Sequence, residues 1–165
     1  MNILIIGYGA IGRIYYSILK KNKKINKIII VDKISNKKKN IISFNDLKKI
    51  KVNINFAFVC SPSFLHFDHA KYCIKKKIDT LIEKPFVLSL KHSRELIQLA
   101  KKSNVRCSTV FQNRENLAIK KFRRFVKNNK ILHVDMRLFW RRTKEYYSDG
   151  WHGKYEFDGG VLANQ

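Results

Sequence analysis

The stretch Ile3-Leu4-Ile5-Ile6-Gly7-Tyr8-Gly9-Ala10-Ile11-Gly12-Arg13 decides the fold of this chain. A short apolar run ends in three glycines with the spacing G-x-G-x-x-G, and apolar residues at helical spacing continue as far as Leu19. This order predicts a buried strand, a tight turn and a helix. A second apolar run, over 27–32, ends in Asp32, twenty positions beyond the last glycine. The glycines and the acid together are typical of a dinucleotide-binding βαβ unit.

Each glycine of this turn has its own mechanical role. Gly7 lets the chain turn sharply off the strand, Gly9 lets a pyrophosphate approach the backbone, and Gly12 lets the helix pack close to the strand. The start of the helix adds free N–H donors and a partial positive charge, which suit a phosphate group. The alternative is a glycine-rich turn that binds nothing, and the surrounding pattern disfavours it.

Asp32 indicates which dinucleotide the turn would take. A carboxylate at the end of the second strand can accept hydrogen bonds from both hydroxyls of the adenosine ribose, and it repels a 2′-phosphate. NAD is therefore favoured over NADP, although Lys33 directly after it acts slightly against that preference. A simple turn acid is the competing interpretation of Asp32.

The charge of the chain is strongly positive, at +23 over 165 residues. Such a balance can mark a partner that is a nucleic acid or an anionic membrane. The lysines fall in separate clusters, among them 20–24, 37–39 and 75–77, and do not form one stripe with interleaved aromatic residues. We interpret the charge as compositional drift, and a nucleic-acid partner is disfavoured.

The cysteines and the lengths of the apolar runs indicate in which cellular compartment the protein is expected. Three cysteines without a C-x-x-C pair indicate reduced thiols of a cytoplasmic protein. No apolar run approaches the roughly 20 residues of a membrane span, so no membrane association is expected. Met1-Asn2 lacks the basic region of a signal peptide.

Strand and helix patterns alternate through the first two thirds of the chain, which predicts an α/β fold with a doubly wound, Rossmann-type parallel sheet. Strands are predicted at 3–6, 27–32, 41–44, 56–60, 80–82 and 105–111. Helices are predicted at 11–19, 66–76 and 89–102, with a helical turn at 46–49. The dinucleotide-binding domain is expected to span 1–112.

The pattern changes beyond residue 112. A helix is predicted at 116–127. Apolar and polar residues alternate at the start of 132–140, which predicts a strand with one solvent-exposed face. These elements indicate the start of an α+β second domain, over 113–165, for substrate binding or oligomerisation. One helix and one strand cannot close a core, so we expect the rest of that domain to be missing or supplied by another chain.

Two histidines, His66 and His69, lie one helical turn apart at a spacing that can hold a metal ion. No third ligand is evident nearby in the sequence, so no metal site is expected. The preceding loop, Cys60-Ser61-Pro62-Ser63, follows a buried strand and carries hydroxyl groups that can meet a cofactor.

The tripeptide Glu83-Lys84-Pro85 completes a set of motifs with the glycine turn, Asp32, the loop 60–63 and His66. The set resembles the Gfo/Idh/MocA oxidoreductases, and the resemblance covers the whole chain. Later motifs in 110–114 and 141–165 resemble the branch that oxidises the 3-hydroxyl of UDP-N-acetylglucosamine-type sugars in surface-polysaccharide synthesis. The resemblance implies hydride transfer between a sugar or nucleotide-sugar hydroxyl and the nicotinamide of NAD(P).

The resemblance also implies residue roles. Lys84 matches the catalytic lysine of the family, Glu83 would position its loop, and a cis bond would precede Pro85. A lysine near a cationic nicotinamide has its pKa pushed down, toward the range of a useful base. A surface lysine in a turn is the competing interpretation. The implied cofactor-binding residues are Gly7, Tyr8, Gly9, Ala10, Ile11, Gly12, Asp32, Cys60, Ser61, Pro62, His66, Glu83, Lys84 and Gln112. The implied substrate-binding residues are Trp140, Arg141, Tyr147, Trp151 and Asn164.

Three positions depart from the family pattern. Leu117 replaces a proline, His152 replaces an arginine, and Asn164 stands where many members carry an aspartate. A catalytic histidine would follow four residues after Asn164, beyond Gln165. The resemblance allows a family-like homo-oligomer, but the domain that would form its interface is incomplete. Two other hypotheses stay open: a truncated, non-catalytic NAD-binding module or gene remnant, and, least favoured, a basic nucleic-acid-binding protein.

Overall fold

The computed structural model describes residues 1–33, 41–43 and 50–164. Its centre is a six-stranded parallel sheet with the strand order β3-β2-β1-β4-β5-β6. This architecture confirms the predicted doubly wound α/β fold. The strands are β1 (Asn2–Ile6), β2 (Lys27–Asp32), β3 (Ile41–Ser43), β4 (Phe56–Val59), β5 (Asp79–Ile82) and β6 (Cys107–Thr109).

The order of the strands reverses at β1, which pairs with β2 on one side and with β4 on the other. A crevice at the carboxyl ends of the strands opens at such a reversal, and ligands of open α/β sheets bind there. β6 is shorter than the predicted 105–111, and the predicted helical turn at 46–49 lies outside the described residues.

Three helices connect strands at the positions that the sequence predicts. They are α1 (Ala10–Leu19), α2 (His66–Lys75) and α3 (Leu90–Ser103), and a short 3₁₀ turn, Ser63–Leu65, precedes α2. Ser89 caps α3, because its hydroxyl accepts a hydrogen bond from the N–H of His92 at 3.1 Å. The helix ends at Asn104, whose φ of 54° is the left-handed conformation common at helix ends.

The core lies on both faces of the sheet. The side chains Ile3, Leu4, Ile5 and Ile6 of β1 are almost completely buried, as expected for a central strand covered on both sides. The register pairs Ile6 with Val59 and Val59 with Ile82, so these side chains share one face of the sheet with Leu4, and α2 and α3 cover that face. Ile3 and Ile5 lie on the opposite face, where α1 packs against the sheet. Burial of this kind fixes the carboxyl edge of the sheet, where the candidate site lies.

The chain forms two compact units. Residues 1–110 and 153–164 form the first, whose last part contains two short helices, α6 (Tyr155–Asp158) and α7 (Gly160–Asn164). The sequence-based division instead grouped 153–165 with the second domain. The segment packs on the first unit because Phe157 contacts Phe64, with ring centroids 4.9 Å apart.

The second unit, 111–152, contains a 3₁₀ turn (Gln112–Glu115), α4 (Leu117–Asn128) and α5 (Lys144–Tyr147). Asn116 caps α4 by accepting a hydrogen bond from the N–H of Ala118 at 2.9 Å, close to the predicted start of the helix. The strand predicted at 132–140 is wrong: among the described residues no segment pairs with it. Alternation supplies an apolar face, but a strand also needs a partner for its backbone groups. No helix in the described part of the chain is long and apolar enough to cross a membrane.

Candidate active site

The glycine turn joins β1 to α1 at the carboxyl edge of the sheet. Gly7 has a φ of +94°, and a Cβ there would lie 2.6 Å from the backbone of Cys60 and Ser61. A Cβ on Gly12 would overlap the carbonyl oxygen of Gly7, whereas a Cβ on Gly9 would meet no described atom within 4 Å. The packing of the protein therefore requires two of the glycines. The third leaves open space at the start of a helix, which fits a pyrophosphate.

Asp32 is tied directly to this turn. Its Oδ2 accepts a hydrogen bond of 2.7 Å from the backbone N–H of Tyr8. The described residues give its Oδ1 no hydrogen bond, so one oxygen of the carboxylate is held by the turn. From the sequence, Asp32 was predicted only to contact the ribose. The hydrogen bond by which Asp32 holds the glycine turn was not predicted.

The other predicted residues of the turn lie where a cofactor can reach them. Ala10 and Ile11 are exposed in the first turn of α1. The ring of Tyr8 meets the edge of Tyr16 at 5.8 Å, and the guanidinium of Arg13 lies 5.9 Å from the centre of the Tyr8 ring. Arg13 also donates to the carbonyl oxygen of Tyr8 at 3.2 Å, which places a positive charge beside the turn.

The loop after β4 packs on the glycine turn. The N–H of Cys60 donates to the carbonyl oxygen of Ile6 at 2.7 Å. Burial, followed by the charge of Glu83, raises the pKa of the Cys60 thiol. The thiol is therefore protonated at neutral pH, and the residue contributes its backbone rather than a nucleophile. Ser61 and Ser63 are buried, and Pro62 between them is half-buried.

The two histidines of α2 hold this loop. His66 contacts the carbonyl oxygen of Ser61 through Nε2 at 2.8 Å and that of Pro85 through Nδ1 at 2.7 Å. His69 contacts the Ser61 hydroxyl through Nδ1 at 2.7 Å. Burial, with a smaller effect of His66, lowers the pKa of His69 to about 4. The described residues contain no cluster of three side chains that could hold a metal ion.

Glu83 lies at the end of β5 and has a partner that sequence reasoning missed. The hydroxyl of Tyr15, on α1, donates to Glu83 Oε1 at 2.8 Å. Burial and then this hydrogen bond raise the pKa of Tyr15, so the phenol stays protonated. The ring of Tyr15 also packs on Phe58 at 4.8 Å. The helical periodicity of α1 showed only an apolar face and gave no signal for this contact.

Lys84 and Asn164 are brought together. The Nζ of Lys84 donates to the backbone oxygen of Asn164 at 2.6 Å and to its Oδ1 at 2.7 Å. Asn164 is buried and lies at the end of α7. The bond between Lys84 and Pro85 is cis, as the resemblance implied. The amine that was predicted to be catalytic is therefore fixed by a residue predicted to bind substrate, 80 positions further along the chain.

Asp158 anchors the segment that carries Asn164. Its side chain is 6% exposed; Oδ2 accepts from the N–H of Gly153 at 2.6 Å, and Oδ1 from the N–H of Gly160 at 2.7 Å. The next residue, Gly159, has a φ of +79°, which favours glycine. Asp158-Gly159-Gly160 lies in the segment 141–165, where the sequence analysis gave this acid no role. An acid before two glycines is a signal for such a carboxylate-closed turn.

The second unit contains the remaining predicted site residues, whose roles stay predictions. Gln112 and Arg141 are exposed, and Tyr147 packs edge-on against Tyr146. The guanidinium that lies among aromatic rings belongs to Arg142, 4.5 Å from the Trp140 ring centre and 5.2 Å from that of Tyr146.

His152, at the end of the same unit, lies between two rings. Their centres are 3.7 Å away for Trp151 and 4.2 Å for Tyr146. Its Nδ1 pairs with Asp149 Oδ2 at 2.5 Å, and the backbone N–H groups of residues 151 and 152 donate to Asp149 Oδ1. The position that departs from the family arginine therefore holds an oriented imidazole.

Comparison with known proteins agrees with the fold. Residues 1–111 match the family model for GFO_IDH_MocA, described as an oxidoreductase family with an NAD-binding Rossmann fold. An uncharacterized oxidoreductase of Synechocystis is 27% identical over 128 residues, which are 73% of this chain and 34% of that protein. A probable dehydrogenase of Thermotoga maritima is similar over 78% of this chain and 41% of its own, with 28% identity and a TM-score of 0.67.

Two solved structures match over the full chain. They are the WlbA dehydrogenases of Chromobacterium violaceum (24% identity, TM-score 0.85) and Bordetella pertussis (22% identity, TM-score 0.84), each in complex with NADH and UDP-GlcNAcA. At these identities the likeness shows the fold. This chain spans 52% and 51% of their lengths. The matched glycine turn and sheet, with the family model over residues 1–111, place the chain in the Gfo/Idh/MocA family of NAD-binding oxidoreductases.

Proposed function

We propose that this chain carries the NAD-binding and proton-transfer part of a dehydrogenase that acts on a hydroxyl group of a sugar nucleotide. The observation that carries the proposal is the Lys84 amine, fixed by both oxygens of Asn164 at the carboxyl edge of the NAD-binding sheet. The fold likeness to the two WlbA dehydrogenases supports a nucleotide-sugar substrate.

Oxidation of an alcohol removes a hydride and a proton, and NAD supplies the hydride acceptor. Lys84 is suited to take the proton. A neutral amine has two N–H groups and an ammonium has three, so both forms can keep the two bonds to Asn164. The nitrogen therefore stays in place while its protonation changes. Tyr15 and Cys60 remain protonated because burial raises both pKa values, and they do not compete as bases.

The glycine turn would hold the cofactor by its phosphates, and Asp32 would select the ribose. The N–H groups at the start of α1 and the Arg13 guanidinium favour the negative charge of a pyrophosphate. The Oδ2–Tyr8 contact already points the Asp32 carboxylate along the turn. A 2′-phosphate would bring like charge to this carboxylate, so NADH should bind more tightly than NADPH.

Cofactor binding is tested by titrating NADH and NADPH against the purified chain and following nicotinamide fluorescence. NADH should bind at least about tenfold more tightly, because a 2′-phosphate costs roughly 1.4 kcal/mol or more beside a carboxylate. The variant D32N keeps a hydrogen-bond acceptor for the N–H of Tyr8 but removes the negative charge. It should therefore reduce the difference between the affinities for NADH and NADPH. Equal affinity for both cofactors in the wild-type chain would contradict the ribose role of Asp32.

Turnover is tested with NAD⁺ and UDP-GlcNAcA by the appearance of NADH absorbance. K84A should lower kcat by about 10²-fold or more, the range of a lost general base, while NADH affinity stays within about twofold. K91A removes an exposed lysine and serves as the matched control. Full activity in K84A would refute the assignment of Lys84 as the general base. Tight NADH binding without oxidation in the wild type would favour the non-catalytic module.

A further inference from the structure

Tyr15 connects the helix that begins at the glycine turn with the loop that contains Lys84. Its hydroxyl, in the second turn of α1, donates to Glu83 Oε1 at 2.8 Å across 68 positions of the chain. Glu83 directly follows β5 and directly precedes Lys84. This contact therefore joins the phosphate side of the proposed site to its proton-transfer side.

The packing of the Tyr15 ring fixes where the hydroxyl points. The ring lies against Phe58 of β4, with centroids 4.8 Å apart and planes inclined by 35°. Phe58 in turn contacts Phe56 on the same strand, with centroids 5.0 Å apart. A tyrosine side chain has only two χ angles, so a packed ring leaves its hydroxyl oxygen little freedom. Tyr15 is therefore able to set the position of Glu83.

The Glu83 carboxylate accepts a hydrogen bond at each oxygen. Oε1 accepts from Tyr15, and Oε2 accepts from the backbone N–H of Lys84 at 3.3 Å. The second bond is longer, and it is the weaker of the two. The backbone N–H of Glu83 donates to the carbonyl oxygen of Val59 at 2.9 Å, which continues the pairing of β4 with β5. The Glu83 side chain thus connects a helix with the first peptide group of the Lys84 loop.

The protonation of Tyr15 suits this role. Burial, and then the hydrogen bond to Glu83, raise the pKa of the Tyr15 phenol, so its hydroxyl remains a donor at neutral pH. An O–H group that donates to a carboxylate forms a bond roughly twice as strong as one between neutral groups. The loss of this hydroxyl should therefore release Glu83 while the ring stays packed on Phe58.

We propose that Tyr15 is a positioning residue for Lys84: its hydroxyl orients the Glu83 carboxylate, and Glu83 in turn holds the backbone from which the Lys84 side chain extends. The role rests on the proposed function, because it matters only if a dinucleotide spans the glycine turn and the Lys84 loop. Tyr15 acts through Glu83 and touches neither cofactor nor substrate.

The contact is tested first in the chain without ligand, by amide hydrogen exchange measured with NMR. Y15F removes only the hydroxyl. The N–H of Lys84 should exchange about threefold faster or more in Y15F, because its acceptor is no longer held from the other side. Y16F removes the hydroxyl of the next residue on the helix and keeps that ring on Tyr8, so it is the matched control. Unchanged exchange at Lys84 in Y15F would overturn the proposal.

The consequence for the site is tested by comparing NADH with ADP-ribose, which lacks the nicotinamide. Y15F should weaken NADH about fivefold, the effect of one lost hydrogen bond, because the loop at the nicotinamide end is no longer held. ADP-ribose should stay within about twofold, since the phosphate turn is unaltered, and Y16F should leave both affinities unchanged. Equal losses for the two ligands, or no loss for either, would refute positioning.

A double-mutant cycle separates an effect through Glu83 from a general loss of packing. E83A should weaken NADH at least as much as Y15F, and the double variant Y15F/E83A should weaken it no further than E83A. E83A removes the same contact from its other partner, so the result does not depend on the folding of Y15F. Additive losses in the double variant would contradict the proposal. A wild-type chain that binds neither ligand would refute the proposed function, while exchange at Lys84 would still decide whether Tyr15 holds the loop.

Discussion

Gly9 and Gly12 are three residues apart, yet the structure requires glycine at only one of them. A Cβ on Gly12 would overlap the backbone oxygen of Gly7, which cannot move without disturbing β1. A Cβ on Gly9 would meet no described atom within 4 Å. Folding therefore needs glycine at position 12, whereas at position 9 we expect glycine to be needed only for a bound phosphate.

The pair G12A and G9A separates these requirements. G12A should destabilise the chain by about 3 kcal/mol or more, because overpacking against backbone is not relieved by a rotamer change. G9A should stay within about 1 kcal/mol of the wild type but weaken NADH at least about tenfold. Urea unfolding and NADH titration measure the two effects. Wild-type NADH affinity in G9A would show that no phosphate approaches this backbone.

Asn164 provides a test of the Lys84 base. N164D places a carboxylate where Oδ1 now lies 2.7 Å from Nζ. An opposite charge at this distance favours the ammonium and raises the pKa of a lysine by about 1–3 units. The pH profile of kcat/KM with UDP-GlcNAcA should move to higher pH by a similar amount. N164A, which keeps the backbone oxygen, should not move it upward. An unshifted profile in N164D would show that the protonation of Lys84 does not determine the pH dependence of kcat/KM.

The site residues that could be predicted from the sequence differ from the others in how far along the chain their partners lie. Gly7, Asp32 and Lys84 lie in motifs whose spacing is local. Tyr15 and His66 act through contacts across 68 and 19 positions, between separate elements, whereas the contacts of Asp158 are local and its motif was a signal that went unused. A side chain whose partner lies in another element, as with Tyr15 and His66, leaves no periodic signal.

At the scale of elements, the strands were predictable because continuous apolar runs mark a sheet covered on both faces. The segment 153–164 was not, since it packs through Phe157 on Phe64, which lies far earlier in the chain. The alternation at 132–140 is real in the sequence, but alternation predicts only a face. Pairing depends on a partner strand, which the described residues do not contain.

Asp158 should determine whether α6 and α7 stay in place. D158A removes a buried carboxylate that closes the segment on Gly153 and Gly160, and it should cost about 2 kcal/mol locally. The amides of both glycines should then exchange hydrogen faster, and kcat should fall because Asn164 is released from Lys84. E156Q changes an exposed acid on the same helix and is the control. Unchanged exchange at both glycines in D158A would contradict the anchoring role.

At the scale of the whole molecule, buried histidines link stability to pH. The pKa of His69 is about 4 in the folded chain and about 6.5 in an unfolded one. The unfolded chain therefore binds more protons between these values, and stability falls as pH falls from about 6.5 toward 4. Carboxylates contribute little above pH 5, since their ordinary pKa values lie lower.

The free energy of unfolding should consequently fall by about 2 kcal/mol between pH 7 and pH 5 through His69 alone. H69N keeps a group at the position of Nδ1 for the Ser61 hydroxyl but cannot be protonated, so its stability should depend less on pH by that amount. Urea unfolding of both proteins at the two pH values, followed by circular dichroism, measures the difference. H133Q, at an exposed histidine, should retain the wild-type dependence. Parallel losses in H69N and the wild type would show that His69 is not held neutral by its burial beside His66.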